Sequence, residues 1–240
     1  MASEQDGRTI ALVMYPGLTV LDLVGPLQVL TELERFAPQY RTVVVGATTE
    51  PMATDVGAQM VPDRTFAELP HPYAVIVPGG RGATIKAMSD PVMREYVRTA
   101  AASAEIVGSV CTGSLILGGL GMLEGRPATT NWFFSGVLRP LGARYERKRW
   151  VEDGNVIMSA GVSAGIDMAL FLVARVTDAQ TARKVQLAME YDPQPPFGRI
   201  DWADVPPLPR AMRGAIRVLA PAIAAPSKRR TRQEKRAAAA

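Results

Sequence analysis

Apolar and polar positions along the chain predict strands and helices in turn. Residues 9–14 form a short, continuous apolar run, typical of a strand buried on both faces of a parallel sheet. Residues 23–36 then carry apolar side chains at helical spacing, which predicts an amphipathic helix. Residues 42–45 are rich in β-branched side chains and predict the second strand. The chain therefore begins as a strand–helix–strand unit.

The same alternation continues for most of the chain. Asp90 and Pro91 suit the cap and the first position of a helix that runs towards residue 102. A hairpin is predicted to turn at Asp153 and Gly154. The remaining predictions are strand and turn signals at 50–70, strands at 73–77 and 105–110, and helices at 112–120, about 164–176 and about 178–190.

Repeated strand–helix units predict one α/β domain, at residues 9–198, with a mostly parallel sheet and helices on both faces. Ligands bind at the carboxyl ends of the strands in such sheets. This rule selects the segments that follow three predicted strands, at 16–22, 78–82 and 111–114. Outside the domain we predict a leader at 1–8, a proline-rich arm at 199–226 and a basic, disordered tail at 227–240.

The composition limits where in the cell we expect the protein and which metal sites it can form. The 240 residues are 48% hydrophobic, but no stretch reaches the roughly 18 consecutive apolar residues of a membrane span. The first residues lack the order of a signal peptide, so we expect a cytoplasmic protein. A single cysteine excludes an internal disulfide and any multi-cysteine zinc site.

The net charge of +4 is concentrated in the tail. Residues 227–240 hold six basic residues and one acidic residue, which leaves 21 basic and 22 acidic residues elsewhere. The body is thus nearly neutral and lacks the charge pattern of a nucleic-acid-binding protein. We therefore do not expect a nucleic-acid partner despite the basic tail.

Cys111 stands where a predicted strand passes into a helix of small residues. Ser109-Val-Cys-Thr-Gly113 resembles a nucleophile elbow, and the helix start is expected to favour the thiolate. The alternative is a buried cysteine that acts as a small hydrophobic residue. His71, the single histidine, lies before the strand at 73–77, roughly 15 Å from its active end, so a Cys–His dyad is not expected.

Asp22 is then the leading acid/base, because it follows the first strand and has apolar neighbours that would raise its pKa. Plain capping of the helix is the alternative. Gly79 and Gly80 offer unhindered backbone N–H groups for an oxyanion hole. Thr112 and Asn131 are further candidates for the same pocket.

These residues lie in segments that resemble the ThiJ/PfpI superfamily and, within it, the isocyanide hydratases. The resembling segments are 21–26, 76–80, 109–114, 128–132, 161–167, 185–191 and 195–197. Cysteine followed by threonine, together with an aspartate at position 22, is the more specific hydratase pattern. In one departure, Asn131 stands where relatives commonly have histidine.

The resemblance implies a flavodoxin-like three-layer sandwich of the class I glutamine amidotransferase type, assembled as a homodimer. It also implies hydration of a small-molecule isocyanide to an N-substituted formamide, with no metal and no organic cofactor. Cys111 would be the nucleophile and Asp22 the acid/base, while Thr112 and the backbone at Gly80 and Val162 would shape the pocket. The alternatives are a non-catalytic sensing or regulatory module and a glyoxalase-like enzyme that processes aldehydes.

Overall fold

The computed structural model describes residues 8–207. The predicted leader, apart from Arg8, and the predicted basic tail lie outside the described residues, as does most of the proline-rich arm. Residues 192–207 contain no helix or strand. Within this segment the Phe197 side chain is 98% exposed. The ring of Trp202 lies under the Arg147 guanidinium, 5.6 Å from ring centroid to Cζ.

A seven-stranded sheet forms the centre of the described structure. Its order is β10-β11-β7-β6-β1-β2-β5, and every neighbouring pair is parallel except β10 with β11. These strands are β1 (Arg8–Val13), β2 (Tyr40–Gly46), β5 (Arg64–Thr65), β6 (Ala74–Val77), β7 (Ile106–Val110), β10 (Trp150–Asp153) and β11 (Val156–Ser159). Two small sheets pair β3 (Met52–Ala53) with β4 (Gln59–Met60), and β8 (Pro127–Ala128) with β9 (Arg144–Tyr145).

The helices form two groups that cover the faces of this sheet. One group contains α1 (Val20–Phe36), α6 (Ala164–Val176) and α7 (Ala179–Ala188), which pack against one another. The other contains α2 (Gly82–Ser89), α3 (Pro91–Ser103), α4 (Gly113–Gly119) and α5 (Ser135–Leu138). The predicted α/β sandwich is therefore confirmed. Because helices cover both faces, every residue of β6 and β7 is buried.

Most predicted elements are found, and the differences are local. Helix α1 begins at Val20 rather than at residue 23, and α2 was not predicted. The hairpin turns one residue later than predicted, since Asp153 still pairs with Val156. The strand and turn signals at 50–70 correspond to the β3–β4 hairpin and to the short edge strand β5. Asp90 caps α3 as predicted, by accepting hydrogen bonds from the N–H groups of Val92 and Met93.

Candidate active site

Cys111 occupies a sharp turn between β7 and α4. Its φ is 56°, a left-handed conformation that costs a non-glycine residue about 1–2 kcal/mol. Three hydrogen bonds hold this turn: the Cys111 carbonyl accepts from the hydroxyls of Ser114 (3.1 Å) and Thr130 (2.9 Å), and its N–H donates to Ser159 O (3.2 Å). The predicted elbow is present, and hydrogen bonds from three different segments hold its strained backbone in place.

Two glycines allow the ends of β6 and β7 to meet. A Cβ on Gly113 would lie 2.0 Å from the carbonyl oxygen of Val77. A Cβ on Gly79 would lie 2.5 Å from Thr112 Oγ1 and 2.8 Å from Asp22 Oδ2. A side chain at either position would force the backbone apart. The small residues therefore serve to bring the acid and the elbow together.

Asp22 is the third residue of α1 and is fully buried. Its Oδ2 accepts a hydrogen bond from the Gly79 N–H at 3.0 Å, whereas its Oδ1 is buried without a hydrogen-bond partner. Asp22 does not cap the helix. The Val20 N–H, in the first turn of α1, instead donates to the carboxylate of Asp55 at 3.0 Å. The capping alternative for Asp22 is therefore excluded.

The environment changes the pKa values of both candidate groups, Asp22 and Cys111. Burial raises the pKa of the Asp22 carboxyl to about 7, while its interactions with the Cys111 thiol and the Gly79 N–H lower that pKa. Burial raises the pKa of the Cys111 thiol to about 12, and the negative charge of Asp22 raises it further. The two groups are thus close neighbours that compete for a proton.

Burial opposes the thiolate that the sequence predicts at Cys111. The residue is only 2% exposed, and loss of water disfavours the charged sulfur. The Thr112 backbone N–H does lower the thiol pKa, but burial and the Asp22 charge outweigh it. The raised pKa favours the protonated thiol, so Cys111 would have to give up a proton in order to act as a nucleophile.

The N–H groups of Gly79 and Gly80, which we expect to form an oxyanion hole, have hydrogen-bond partners within the protein, and their role towards a substrate stays a prediction. The Gly79 N–H donates to Asp22, and the Gly80 N–H donates to Thr112 Oγ1 at 3.1 Å. The Arg81 N–H donates to the same hydroxyl at 3.3 Å. These N–H groups position Asp22 and Thr112 instead of facing an open pocket.

Thr112 belongs to a buried hydroxyl chain that the sequence did not reveal. Its Oγ1 lies 2.7 Å from Thr84 Oγ1, which lies 3.3 Å from the Tyr15 hydroxyl. Tyr15 in turn donates to the carbonyl of Pro78 at 2.9 Å. The sequence analysis did not select Thr84, because it did not predict α2, the helix that carries this residue. Tyr15 directly follows Met14, where the first predicted strand ends, and this position is the sequence signal that could have placed Tyr15 near the site.

Asn131 and Val162 lie beside the elbow rather than on the Asp22–Cys111 pair. Asn131 Oδ1 accepts from the Phe133 N–H at 3.1 Å and so caps a short 3-10 turn at Trp132–Phe134. Its amide nitrogen lies near Gly161, since a Cβ there would be 3.5 Å from Nδ2. Val162 follows Gly161 and is half-buried. Their roles in binding substrate stay predictions.

His71 lies far from this arrangement in the fold. It precedes β6, at the opposite end of that strand from Gly79, on an exposed loop. Its Nδ1 lies 3.1 Å from the Ser103 hydroxyl, at the end of α3. Since the chain has one histidine, no imidazole of its own serves Cys111.

The described residues also lack two other kinds of site. Between residues 8 and 207 there is no group of three or more His, Cys, Asp or Glu side chains that could hold a metal ion. The same residues contain no helix long and apolar enough to cross a membrane. The polar cluster at the ends of β1, β6 and β7 is therefore the strongest candidate for chemistry in this part of the chain.

Known proteins are similar to this chain over the part that contains the candidate site. Residues 8–175 match the DJ-1/PfpI family. The isonitrile hydratase of Pseudomonas putida is 40% identical over 188 residues, which cover 78% of this chain and 80% of that enzyme. Isonitrile is another word for isocyanide. The residues that match the family, 8–175, include Asp22, Gly79 and Cys111.

Two further comparisons extend the likeness. The crystal structure of a ThiJ/PfpI family protein from Pseudomonas syringae is 35% identical, with a TM-score of 0.80, and the match covers 91% of this chain and 90% of that one. The transcriptional regulator CdhR of Pseudomonas aeruginosa, of the helix-turn-helix type, is 29% identical over 78% of this chain but only 54% of its own length. The proteins that are similar to this chain thus include an enzyme and a regulator.

Proposed function

The chain belongs to the DJ-1/PfpI family, and we propose that it is an isocyanide hydratase that uses Cys111 as nucleophile and Asp22 as acid/base. The observation that carries this proposal is the buried pair itself. The carboxyl and the thiol lie side by side, with raised pKa values of about 7 and about 12. The 40% identity to an isonitrile hydratase supports the substrate class.

Between these two pKa values the pair holds one proton. A carboxylate beside a thiol and a carboxylic acid beside a thiolate are two arrangements of that same state. Asp22 Oδ1 is available for the transfer, because it has no hydrogen-bond partner, whereas Oδ2 is held by the Gly79 N–H. The pair can therefore produce a thiolate at the moment of attack without maintaining one in the resting enzyme.

In the first half of the reaction, a sulfur lone pair forms a bond to the terminal carbon of R–N≡C. The proton of the pair passes through Asp22 to that carbon, whose own lone pair forms the new C–H bond. The product is a thioimidate, R–N=CH–S–Cys111. No proton enters or leaves the site in this step, which suits a site buried from water.

In the second half, water adds to the thioimidate carbon, with Asp22 taking a proton from the water and delivering one to nitrogen. The C–S bond then breaks, and the hydroxyl proton returns to the pair as the formamide R–NH–CHO leaves. Each positioned proton transfer is typically worth about 10²–10⁴-fold in rate. The homodimer implied by the resemblance stays a prediction and is not needed for these steps.

The test is a steady-state assay of purified protein with p-nitrophenyl isocyanide and cyclohexyl isocyanide, in which the formamide is identified by mass spectrometry in H₂¹⁸O. The parent should form formamide that carries one ¹⁸O atom, and Cys111→Ala should form none. His71→Ala is the matched control and should retain parental activity, because His71 lies on an exposed loop at the other end of β6.

Three results would contradict the proposal. Equal activity in Cys111→Ala would exclude the nucleophile. Consumption of methylglyoxal without formation of formamide would favour a glyoxalase-like enzyme. Tight binding of an isocyanide without turnover would favour a sensing module.

A further inference from the structure

A second carboxylate contacts the same turn of α1 that carries Asp22. Asp55 lies at the tip of the β3–β4 hairpin, between Ala53 and Gln59, and its Oδ1 accepts from the Val20 N–H at 3.0 Å. Thr19, which precedes the helix, makes no hydrogen bond to it through its side chain. The first turn of α1 is therefore capped from a segment 35 residues away rather than by its own flanking residue.

The hairpin holds this turn by its backbone as well. The Asp55 N–H donates to Leu18 O at 3.0 Å, and the Gly17 N–H donates to Ala53 O at 2.8 Å. Together with the Asp55 carboxylate, these bonds fix the loop that leads from β1 into α1. Asp22 is two residues beyond Val20, so the same bonds determine where its carboxyl lies.

We propose that Asp55 is a positioning residue that acts through Asp22, because it fixes the first turn of α1 and holds a second negative charge at that turn. The role rests on the proposed function of Asp22 as acid/base. Asp55 does not touch the reacting atoms. Its charge raises the pH at which Asp22 takes up a proton.

The electrostatics agree in direction with this placement. The charge of Asp55 raises the pKa of Asp22, and the charge of Arg81 lowers it. The other titratable groups that face the pair are Cys111 itself and the hydroxyl of Tyr15, whose own pKa is raised by burial. Asp55 is thus the carboxylate among these neighbours that favours protonated Asp22.

The test is a carboxyl-carbon NMR titration of the full chain, in which the Asp22 resonance is assigned by its loss in Asp22→Asn. Asp55→Asn keeps an oxygen for the Val20 N–H but removes the charge. The Asp22 midpoint should move to lower pH, because the charge that raises the pKa of Asp22 is lost. Arg81→Gln should move it to higher pH.

Asp63→Asn is the matched control. Its carboxylate also accepts a backbone N–H from a neighbouring strand, that of Val44 at 2.8 Å, but its charge is not among those that shift Asp22. The Asp22 midpoint should be unchanged in this variant. An unchanged midpoint in Asp55→Asn, or an equal movement in Asp63→Asn, would overturn the proposal.

Kinetics separate positioning from charge. In Asp55→Asn the acid limb of kcat/KM for p-nitrophenyl isocyanide should move with the NMR midpoint, while the plateau value of kcat changes by less than about threefold. Asp55→Ala should also lose about tenfold in kcat, because the first turn of α1 is no longer held. Loss of kcat in Asp55→Ala without any shift of the limb in either variant would leave only a structural role.

The two proposals can fail separately, because the NMR titration needs no substrate. If the parent hydrates neither isocyanide but the Asp22 midpoint still moves in Asp55→Asn, the hydratase proposal is wrong and the action of Asp55 on Asp22 stands. If hydration is found and the Asp22 midpoint does not move in Asp55→Asn, the hydratase proposal stands and the action of Asp55 on Asp22 is wrong.

Discussion

The starts of α1 and α7 each carry an aspartate, and the two behave in opposite ways. Asp178 caps α7, with Oδ1 accepting from the Thr181 N–H at 2.7 Å, and this hydrogen bond lowers the pKa of Asp178. Asp22 lies inside α1, is fully buried, and has its pKa raised to about 7. Position in a helix does not explain this difference. The ends of β6 and β7 cover Asp22, whereas Asp178 faces water.

The contrast extends to the backbone. Asp178 has a φ of −160°, an extended conformation that any residue adopts. Cys111, across the site from Asp22, is held at a φ of 56°. The carboxyl edge of the sheet thus combines a strained turn, a buried acid and a carboxylate oxygen without a partner. Such departures from the most stable arrangement concentrate where a protein does chemistry.

The largest expected difference between the two aspartates is in catalysis. Asp22→Asn should lower the rate of isocyanide hydration by about 10²–10⁴-fold, because the proton carrier is lost while the amide oxygen can still accept from Gly79. Asp178→Asn, which keeps a capping oxygen, should have parental kcat and KM. Both variants should give the parental circular dichroism spectrum. Parental activity in Asp22→Asn would show that Asp22, like Asp178, has no role in catalysis.

The second difference is the pH dependence of stability, measured by urea unfolding between pH 4 and 8. The folded pKa of Asp22 is about 7, which lies above its ordinary value of 3.8. The stabilisation that the Asp22 carboxyl contributes is therefore fully present below pH 3.8 and is lost as the pH rises to about 7. The parent should therefore lose stability relative to Asp22→Asn over this range, on the order of 2 kcal/mol or more.

Asp178 should show the reverse dependence. Because its folded pKa is lowered, its contribution is present above the ordinary value and disappears as the pH falls through the folded value. Asp178→Asn should thus be less stable than the parent at neutral pH and approach it in acid. A constant difference between Asp22→Asn and the parent at every pH would show that Asp22 titrates normally.

The smallest expected effect concerns backbone strain. Glycine adopts a φ of 56° without steric cost, whereas alanine does not, so Cys111→Gly should be more stable than Cys111→Ala by about 1 kcal/mol. In the regular helix α3, the exchange should have the opposite sign, and Ala101→Gly should lose about 1 kcal/mol. Equal stability of the two Cys111 variants would mean that the elbow relaxes once the thiol is gone.

Local patterns predicted the fold well because each core element has its own signal. The apolar runs at 9–14 and 105–110 are strands, and Asp90 with Pro91 starts a helix. Helix α2 was missed, since it directly follows the glycines of the β6 turn and has no proline or polar cap at its start. Its N-terminal neighbour, Arg81, instead has a φ of 49°.

The candidate site was predicted only in part. Cys111 and Asp22 follow from the rule that ligands bind at the carboxyl ends of parallel strands. Tyr15 and Asp55 were missed, because each contacts the site from a segment with no motif of its own. Thr130 was missed although its segment, 128–132, was selected for Asn131. The sequence could not show that Asp22 and Thr112 accept hydrogen bonds from the N–H groups of Gly79 and Gly80, and the oxyanion role of these glycines stays a prediction.

The sequence by itself determined the alternation of strands and helices, the edge of the sheet where chemistry is expected, and the two residue types placed there. Only the tertiary structure decided their charge state. The protonation of Asp22 and Cys111 depends on how completely neighbouring segments exclude water and on which dipoles and charges those segments bring near. Such quantities are set by distances between residues far apart in the chain, and no local pattern records them.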